Sequence, residues 1–438
     1  MVTSDRKAVV LGLDGAPYTL LRRFCDEGVM PNLARIFAAG TATAMDTAIP
    51  EISSTAWTSF MTGMNPGKHA VYGFMDLDPQ TYKLQFTNFK SVKAATAWDH
   101  LSRKGIRSQV LNIPTTYPAR DLVGTLISGF VAIDLKRATF PPSLVPYLEK
   151  IGYKLDVDTT TFAKGVDAFV EELWDALAKR EEALWHLLVE EPWSLYIGVV
   201  TETDRLHHYL WAAIEDEAHP QHAFFKDYYR KVDKFVGRVW DRVGSDTLFM
   251  IMSDHGFCAI EKEVYLNHWL QQEGYLSFSS ATPKHEDMTP QTRAFNMDPA
   301  RIYIHRKGLY ARGGVEEPEA ERLIDEIAGK LRALVIDGRP VIDKIWRKNE
   351  LYSGQYLPKA PDLVLLPHRG FDLKGTISQT KLAGRSVLTG MHTQDDAVLF
   401  VNRPLAKSGK PHIVDLAPTL LAHLGLDVPK DMDGVLLV

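Results

Sequence analysis

The residues of this chain best able to do chemistry are acids, histidines and one hydroxyl that close short apolar runs. Val9-Val10-Leu11-Gly12-Leu13-Asp14 and Met250-Ile251-Met252-Ser253-Asp254-His255-Gly256 are apolar stretches that stop at a carboxylate, with glycine close behind. Pro50-Glu51-Ile52-Ser53 ends on a hydroxyl, Asp204-Arg205-Leu206-His207-His208 sets an acid four residues before an imidazole, and His392 follows Thr389-Gly390-Met391. Asp204 and His208 share a face if the chain is helical there, and could then hold one cation. Asp254 and His255 are adjacent and diverge in an extended strand, so both serve one site only where the chain turns, which Gly256 permits. Asp14-Gly15 carries the same turn signal. Mixed carboxylate and imidazole donors suit zinc or manganese and lack the thiolates of a structural zinc site.

Ser53 precedes Ser54-Thr55-Ala56-Trp57-Thr58-Ser59-Phe60-Met61, which reads as a short helix. A hydroxyl at a helix N-terminus has two uses. It can cap the free backbone N–H groups, or, activated by a metal, it can attack an electrophile held where those groups favour an anion.

These residues need a frame that gathers them. Residues 8–13, 108–113, 195–200, 247–252, 362–366 and 397–401 read as buried strands. Residues 31–40, 95–104, 166–190 and 414–424 read as helices. Such alternation predicts an α/β fold, a largely parallel central sheet with helices on both faces. In such sheets ligands sit beyond the carboxyl ends of the strands, so the acids at those ends would converge on one edge. Residues 266–356 are richer in polar residues, Gly and Pro, with a strand at 301–305 and a helix at 317–335. They predict an inserted cap over that edge, with 279–298 as a mobile loop and 132–158 as a candidate addition. The remainder, 1–265 and 357–438, forms the expected core.

With 438 residues, 45% apolar and 24% charged, the composition is that of a soluble globular protein. A net charge of −5 gives no sign of a nucleic-acid surface. Cys25 and Cys258, the two cysteines, exclude a disulfide framework and point to a reducing compartment. No secretory signal or membrane-length apolar run stands out, so a cytoplasmic protein is expected.

Taken in order, Gly12-Leu13-Asp14-Gly15, Pro50-Glu51-Ile52-Ser53, Thr62-Gly63-Met64-Asn65-Pro66-Gly67-Lys68-His69, Glu202-Thr203-Asp204 with His208, Asp254-His255-Gly256, Gly390-Met391-His392 and Asp415-Leu416-Ala417-Pro418-Thr419 resemble the alkaline phosphatase superfamily. The resemblance is greatest to its type I phosphodiesterase and nucleotide pyrophosphatase branch. It implies an alkaline phosphatase-like core and two divalent metal ions, zinc first with manganese as the other candidate. One ion would be held by Asp204, His208 and His392, the other by Asp14, Asp254 and His255. Ser53 would lie between them as nucleophile, and the substrate would be a small-molecule phosphate ester. Three positions depart from the pattern: Ser53 stands for a threonine, Ala70 for a glycine, and Phe74 for an asparagine that binds a phosphate oxygen. Nucleotide specificity therefore does not carry over.

Two divalent ions against Asp14, Asp204, Asp254 and a Ser53 alkoxide leave a near-neutral centre, which suits a singly charged diester. Arg205 and Lys68 read as surface or supporting residues. Tyr303, His305, Tyr310, Tyr352 and Tyr356 of the cap read mainly as packing. The alternatives are a phosphomonoesterase or cofactor-independent phosphomutase of the same superfamily, and a non-catalytic metal- or phosphate-binding protein.

Overall fold

The computed structural model describes residues 6–406 and 409–438. Among them, eight strands form the central sheet: β1 Ala8–Leu13, β2 Thr41–Met45, β3 Ser108–Ile113, β4 Gly124–Ser128, β5 Thr139–Phe140, β6 Leu195–Val200, β7 Leu248–Met252 and β8 Ala397–Val401. Their spatial order is β2-β8-β7-β1-β6-β3-β4-β5. The five strands from β7 to β4 run parallel, and β8, β2 and β5 join by antiparallel pairing. The fold is α/β.

Register decides where the chemistry goes. Leu13 is level with Val200, and Gly12 with Met252. The residues that follow, Asp14, Thr201 to Asp204 and Ser253 to His255, therefore leave the sheet side by side at one edge.

The helices that matter here are α1 Ser53–Thr62, α2 Val166–Glu190, α3 Glu202–Glu215, α4 His222–Val243 and α5 Leu416–His423. Alternation along β1 divides the core. Val9, Leu11 and Leu13 face a layer that includes α2, α3 and α4, while Ala8 and Val10 face α1 and α5. No helix among the described residues is long and apolar enough to cross a membrane.

A second layer has its own apolar core, with Leu323, Ile324, Ile327 and Leu331 of helix Glu317–Arg332 packed against a four-stranded antiparallel sheet. Three expectations are corrected. Leu363–Pro367 pairs with Ile342–Arg347 and Arg301–Ile304 in this second sheet, not in the central one, because its apolar side chains pack on Leu323 and its neighbours. Ala294–Met297, inside the expected mobile loop, is a fully buried strand paired with Arg301–Ile304. Residues 132–158 do not join the cap: β5 pairs with β4, and Leu148, Ile151 and Tyr153 pack with Leu173 and Leu177 of α2.

A buried ion pair ties this region together. Arg180 of α2 donates through Nε to Glu202 at 3.0 Å and through Nη2 to the Lys154 and Leu155 carbonyls at 3.0 and 3.3 Å. Both side chains are fully buried. Removing one partner of such a pair leaves an uncompensated charge, so Arg180→Ala should destabilise the protein by about 3–5 kcal/mol, read from urea unfolding midpoints.

Candidate active site

The turn after β1 is built around Asp14. Trp57 of α1 donates through its indole N–H to Asp14 Oδ2 at 3.0 Å. Trp57 fits because residue 12 is glycine; a Cβ there would lie 2.6 Å from the indole ring. Thr203 Oγ1 donates to the Asp14 carbonyl at 2.7 Å, joining this turn to the start of α3. Gly15, at φ +66°, takes the left-handed conformation its position requires, and its N–H donates to Asp254 Oδ1 at 3.0 Å.

The other donors arrive on three different elements. Asp204 lies in the first turn of α3 and His208 one turn later, with Nε2 3.4 Å from Asp204 Oδ1. Past Gly256 the chain forms strand Gly256–Ala259, antiparallel to Gly390–Thr393, and this pairing sets His392 opposite Phe257. His392 Nε2 then lies 3.3 Å from Asp204 Oδ1 and 3.0 Å from His208 Nε2.

Two trios result, Asp204 with His208 and His392, and Asp14 with Asp254 and His255, each with one donor atom per residue within 4.8 Å of the others. They adjoin, since His255 Nε2 is 4.0 Å from Asp204 Oδ1 and 3.9 Å from Asp14 Oδ1.

Ser53 is the first residue of α1. Its hydroxyl does not cap the helix; Oγ lies 3.1 Å from His255 Nε2. All seven residues singled out in the sequence, Asp14, Ser53, Asp204, His208, Asp254, His255 and His392, thus meet at one edge. The neighbouring His207 is turned away and buried, between the Gly15 carbonyl at 3.1 Å and the Tyr229 hydroxyl at 2.8 Å.

The donor chemistry fits bound cations. Asp14 Oδ1, Asp204 Oδ1 and Asp254 Oδ2 are buried without a hydrogen-bond partner. His208, His392 and His255 each direct Nδ1 at a backbone carbonyl, of Gly390, Glu51 and Gly256 respectively. A proton on Nδ1 leaves Nε2 with a lone pair, the orientation metal-ligating histidines adopt. Two such lone pairs facing each other at 3.0 Å need a proton or a cation between them.

Electrostatics agree. Burial, then Asp254 and Asp204, push Asp14 well above the usual carboxylate range. Burial pushes Asp254 up to about 6. Burial also pushes Asp204 up, but His208, His392 and Arg205 outweigh it and hold this acid well below its ordinary value. Burial drives His208 down to about 3 and His255 well down. It also works against protonated His392, which the neighbouring Asp204 carboxylate, 3.3 Å away, nevertheless raises. Three buried acids so close repel one another unless positive charge sits among them.

A cavity of about 30 Å³ opens on Ser53, Asp14 and His208, walled by Phe74, Phe130 and Arg205. A larger one of about 270 Å³ shares Phe74, His208 and His392 with it and reaches Ala300 and Lys374. Of the two expectations for Arg205, the supporting role holds and the surface position does not: its guanidinium is bonded to Asp204 Oδ2 at 3.0 Å and lines the cavity on which Ser53 opens. The only advance signal was its place next to Asp204. Lys68 lies apart, paired with Asp433. Trp57 and Phe130 carried no functional signal in the sequence. The cap residues His305, Tyr310 and Tyr352 are buried packing groups. Tyr303 is stacked on Phe295, and Tyr356 is partly buried.

Residues 8–395 match the family described as type I phosphodiesterase / nucleotide pyrophosphatase. The chain belongs to this family of phosphoester hydrolases, within the alkaline phosphatase superfamily. Among solved structures it is similar to phosphonoacetate hydrolase from Sinorhizobium meliloti 1021 in complex with phosphonoformate, at 17% identity and TM-score 0.64, covering 96% of each chain. Murine ectonucleotide pyrophosphatase / phosphodiesterase 5, as an inactive form with AMP, is similar at 13% identity and TM-score 0.60, over 97% of this chain and 96% of that one. The human counterpart gives 14% identity and TM-score 0.59 over the same shares. No curated protein sequence gave a significant match.

In protein stripped by chelator, Asp254 holds its proton more tightly folded, at about 6, than unfolded, at about 3.9. Its contribution to stability is present below the unfolded value and lost as pH rises through about 6. Melting temperature of the chelated protein should therefore fall across that window, and Asp254→Asn should flatten the fall. An identical slope in both proteins would contradict this account of the charge cluster.

Proposed function

We propose that this chain is a two-metal phosphodiesterase acting through a phospho-Ser53 intermediate. The observation that carries this reading is the Ser53 hydroxyl 3.1 Å from His255 Nε2, where the two donor trios adjoin. Asp204, His208 and His392 would hold one ion and Asp14, Asp254 and His255 the other. Zinc is favoured by the donor set, with manganese second. Such ions, when bound, offset the carboxylate charge, acidify the hydroxyl and draw charge from the phosphoryl group.

The chain's own residues do the rest. Trp57 and Gly15 N–H fix the Asp14 and Asp254 carboxylates, and the Gly390, Glu51 and Gly256 carbonyls fix the three imidazoles. Ser53 Oγ, at the start of α1 where the helix dipole favours an anion, forms a bond to phosphorus as the bond to the leaving alcohol breaks. Water then attacks phospho-Ser53, the serine–phosphorus bond breaks, and the serine takes back a proton. Positioning and charge neutralisation are most of what phosphoryl transfer demands.

The cap supplies the leaving-group pocket in this reading. The 270 Å³ cavity is lined on its cap side by residues 298–300 and 372–374, so the selecting segment extends past residue 356. The phosphonoformate and AMP held by the similar structures support a small phosphoryl or phosphonyl anion as substrate. Free Cys25 and Cys258 support a cytoplasmic setting.

A second reading is a monoesterase or phosphomutase, which Arg205 on the same cavity as Ser53 could also serve. Relative turnover of bis-(p-nitrophenyl) phosphate and p-nitrophenyl phosphate decides; faster monoester hydrolysis overturns the diesterase reading. Ser53→Ala should lower kcat by roughly a thousandfold or more, as loss of a nucleophile does. Unchanged turnover would mean that Ser53 is not the nucleophile. Chelation should abolish activity, and zinc or manganese should restore it.

A further inference from the structure

The small cavity at Ser53 has one wall that the family resemblance does not account for. We propose that Arg205 anchors a non-bridging oxygen of the phosphoryl group and that Asp156 positions it for this. The inference rests on the hydrolase reading above and adds the group that grips the phosphoryl.

The argument begins with donor counting. A guanidinium has five N–H donors and no acceptor. In Arg205, Nε donates to Asp156 Oδ1 at 3.2 Å, Nη2 to Asp156 Oδ2 at 2.7 Å, and Nη1 to Asp204 Oδ2 at 3.0 Å. Three donors are committed, and one N–H on each Nη is left. The guanidinium carbon sits 4.6 Å from the centre of the Phe130 ring, a contact that helps hold the group in place.

Arg205 lines the cavity that Ser53 opens on. Its volume, about 30 Å³, is room for about two water molecules. This is the scale of phosphoryl oxygens and excludes a ring or an alkyl chain. Phe74, on the same cavity, offers no donor. Of the side chains that line it, Arg205 is the permanently charged donor.

The support is itself built in. Asp156 follows Lys154 and Leu155, whose carbonyls are gripped by buried Arg180. The Asp156 carboxylate also accepts from the Val157 N–H at 2.8 Å. Because Asp156 neutralises Arg205, the pair contributes aimed donors with little net charge. Such an anchor works for a singly charged diester as well as for a monoester.

A purely structural tie between α3 and residues 154–156 would use the same ion pairs, so the test must read the phosphoryl group. Holoenzyme forms of wild type, Arg205→Lys, Arg205→Ala, Asp156→Asn and Ser53→Ala would be compared. The readouts are kcat and KM for bis-(p-nitrophenyl) phosphate, the inhibition constant of inorganic phosphate, metal content and melting temperature. Arg205→Lys keeps a charge and loses the fork. It should weaken phosphate inhibition and lower kcat/KM by roughly 10- to 100-fold with metal content unchanged. Asp156→Asn should shift both in the same direction by less. Arg205→Lys with unaltered phosphate inhibition and kcat/KM overturns the proposal, whether or not Arg205→Ala folds. Full turnover by Ser53→Ala overturns the phospho-Ser53 step instead, and absence of turnover by the wild-type holoenzyme overturns the hydrolase reading, so these failures are distinct.

Discussion

Three carboxylates, Asp14, Asp204 and Asp254, are buried within a few ångströms of one another at the end of a parallel sheet, and each keeps an oxygen without a hydrogen bond. Acids so placed repel and lose their hydration, and the hydrogen bonds and ion pair around them repay that cost only in part. The rest of the structure reads as a set of devices that hold this unfavourable arrangement in place. The indole of Trp57, the amide of Gly15 and the hydroxyl of Thr203 pin the turns that carry Asp14 and Asp254. Backbone carbonyls orient the three imidazoles so that their free nitrogens face the acids. The result is two trios of acid and imidazole donors that could hold cations.

Parallel strands make the convergence cheap. β1, β6 and β7 are neighbours in register, so chain segments nearly two hundred and fifty residues apart leave the sheet at one level. The loops after them need only a glycine or the first turn of a helix to aim a side chain inward. His392 comes by another route, on a short antiparallel ribbon that Gly256 starts. The cap layer folds around its own apolar core and meets the centre only at the wall of the larger cavity.

Much of this was legible beforehand where local pattern and tertiary role coincide. Buried strands β1, β3, β6 and β8 and helix α2 have the bounds that their apolar runs indicate, because a continuous apolar run has few other stable outcomes. The pattern failed where a segment is short, edge-placed or mixed. Thr41–Met45 is a half-exposed edge strand with little apolar signal, and Leu363–Pro367 has the composition of a central strand but belongs to the cap sheet. Composition reports that a strand is buried; it does not report under which layer.

The amino-acid order alone determined the α/β class, the strand-end acids and the i,i+4 spacing that sets Asp204 beside His208, since these depend on local periodicity and on chemistry written into residue type. Only the tertiary structure decided that Arg205 lines the same cavity as Ser53 rather than facing solvent, that His207 is packing while His208 is not, and that Ser53 leaves capping aside to meet His255. Those outcomes turn on which distant segment arrives at each side chain, Asp156 and Phe130 at Arg205, Tyr229 at His207. No local pattern carries that information, because it arises from how separate layers pack against one another.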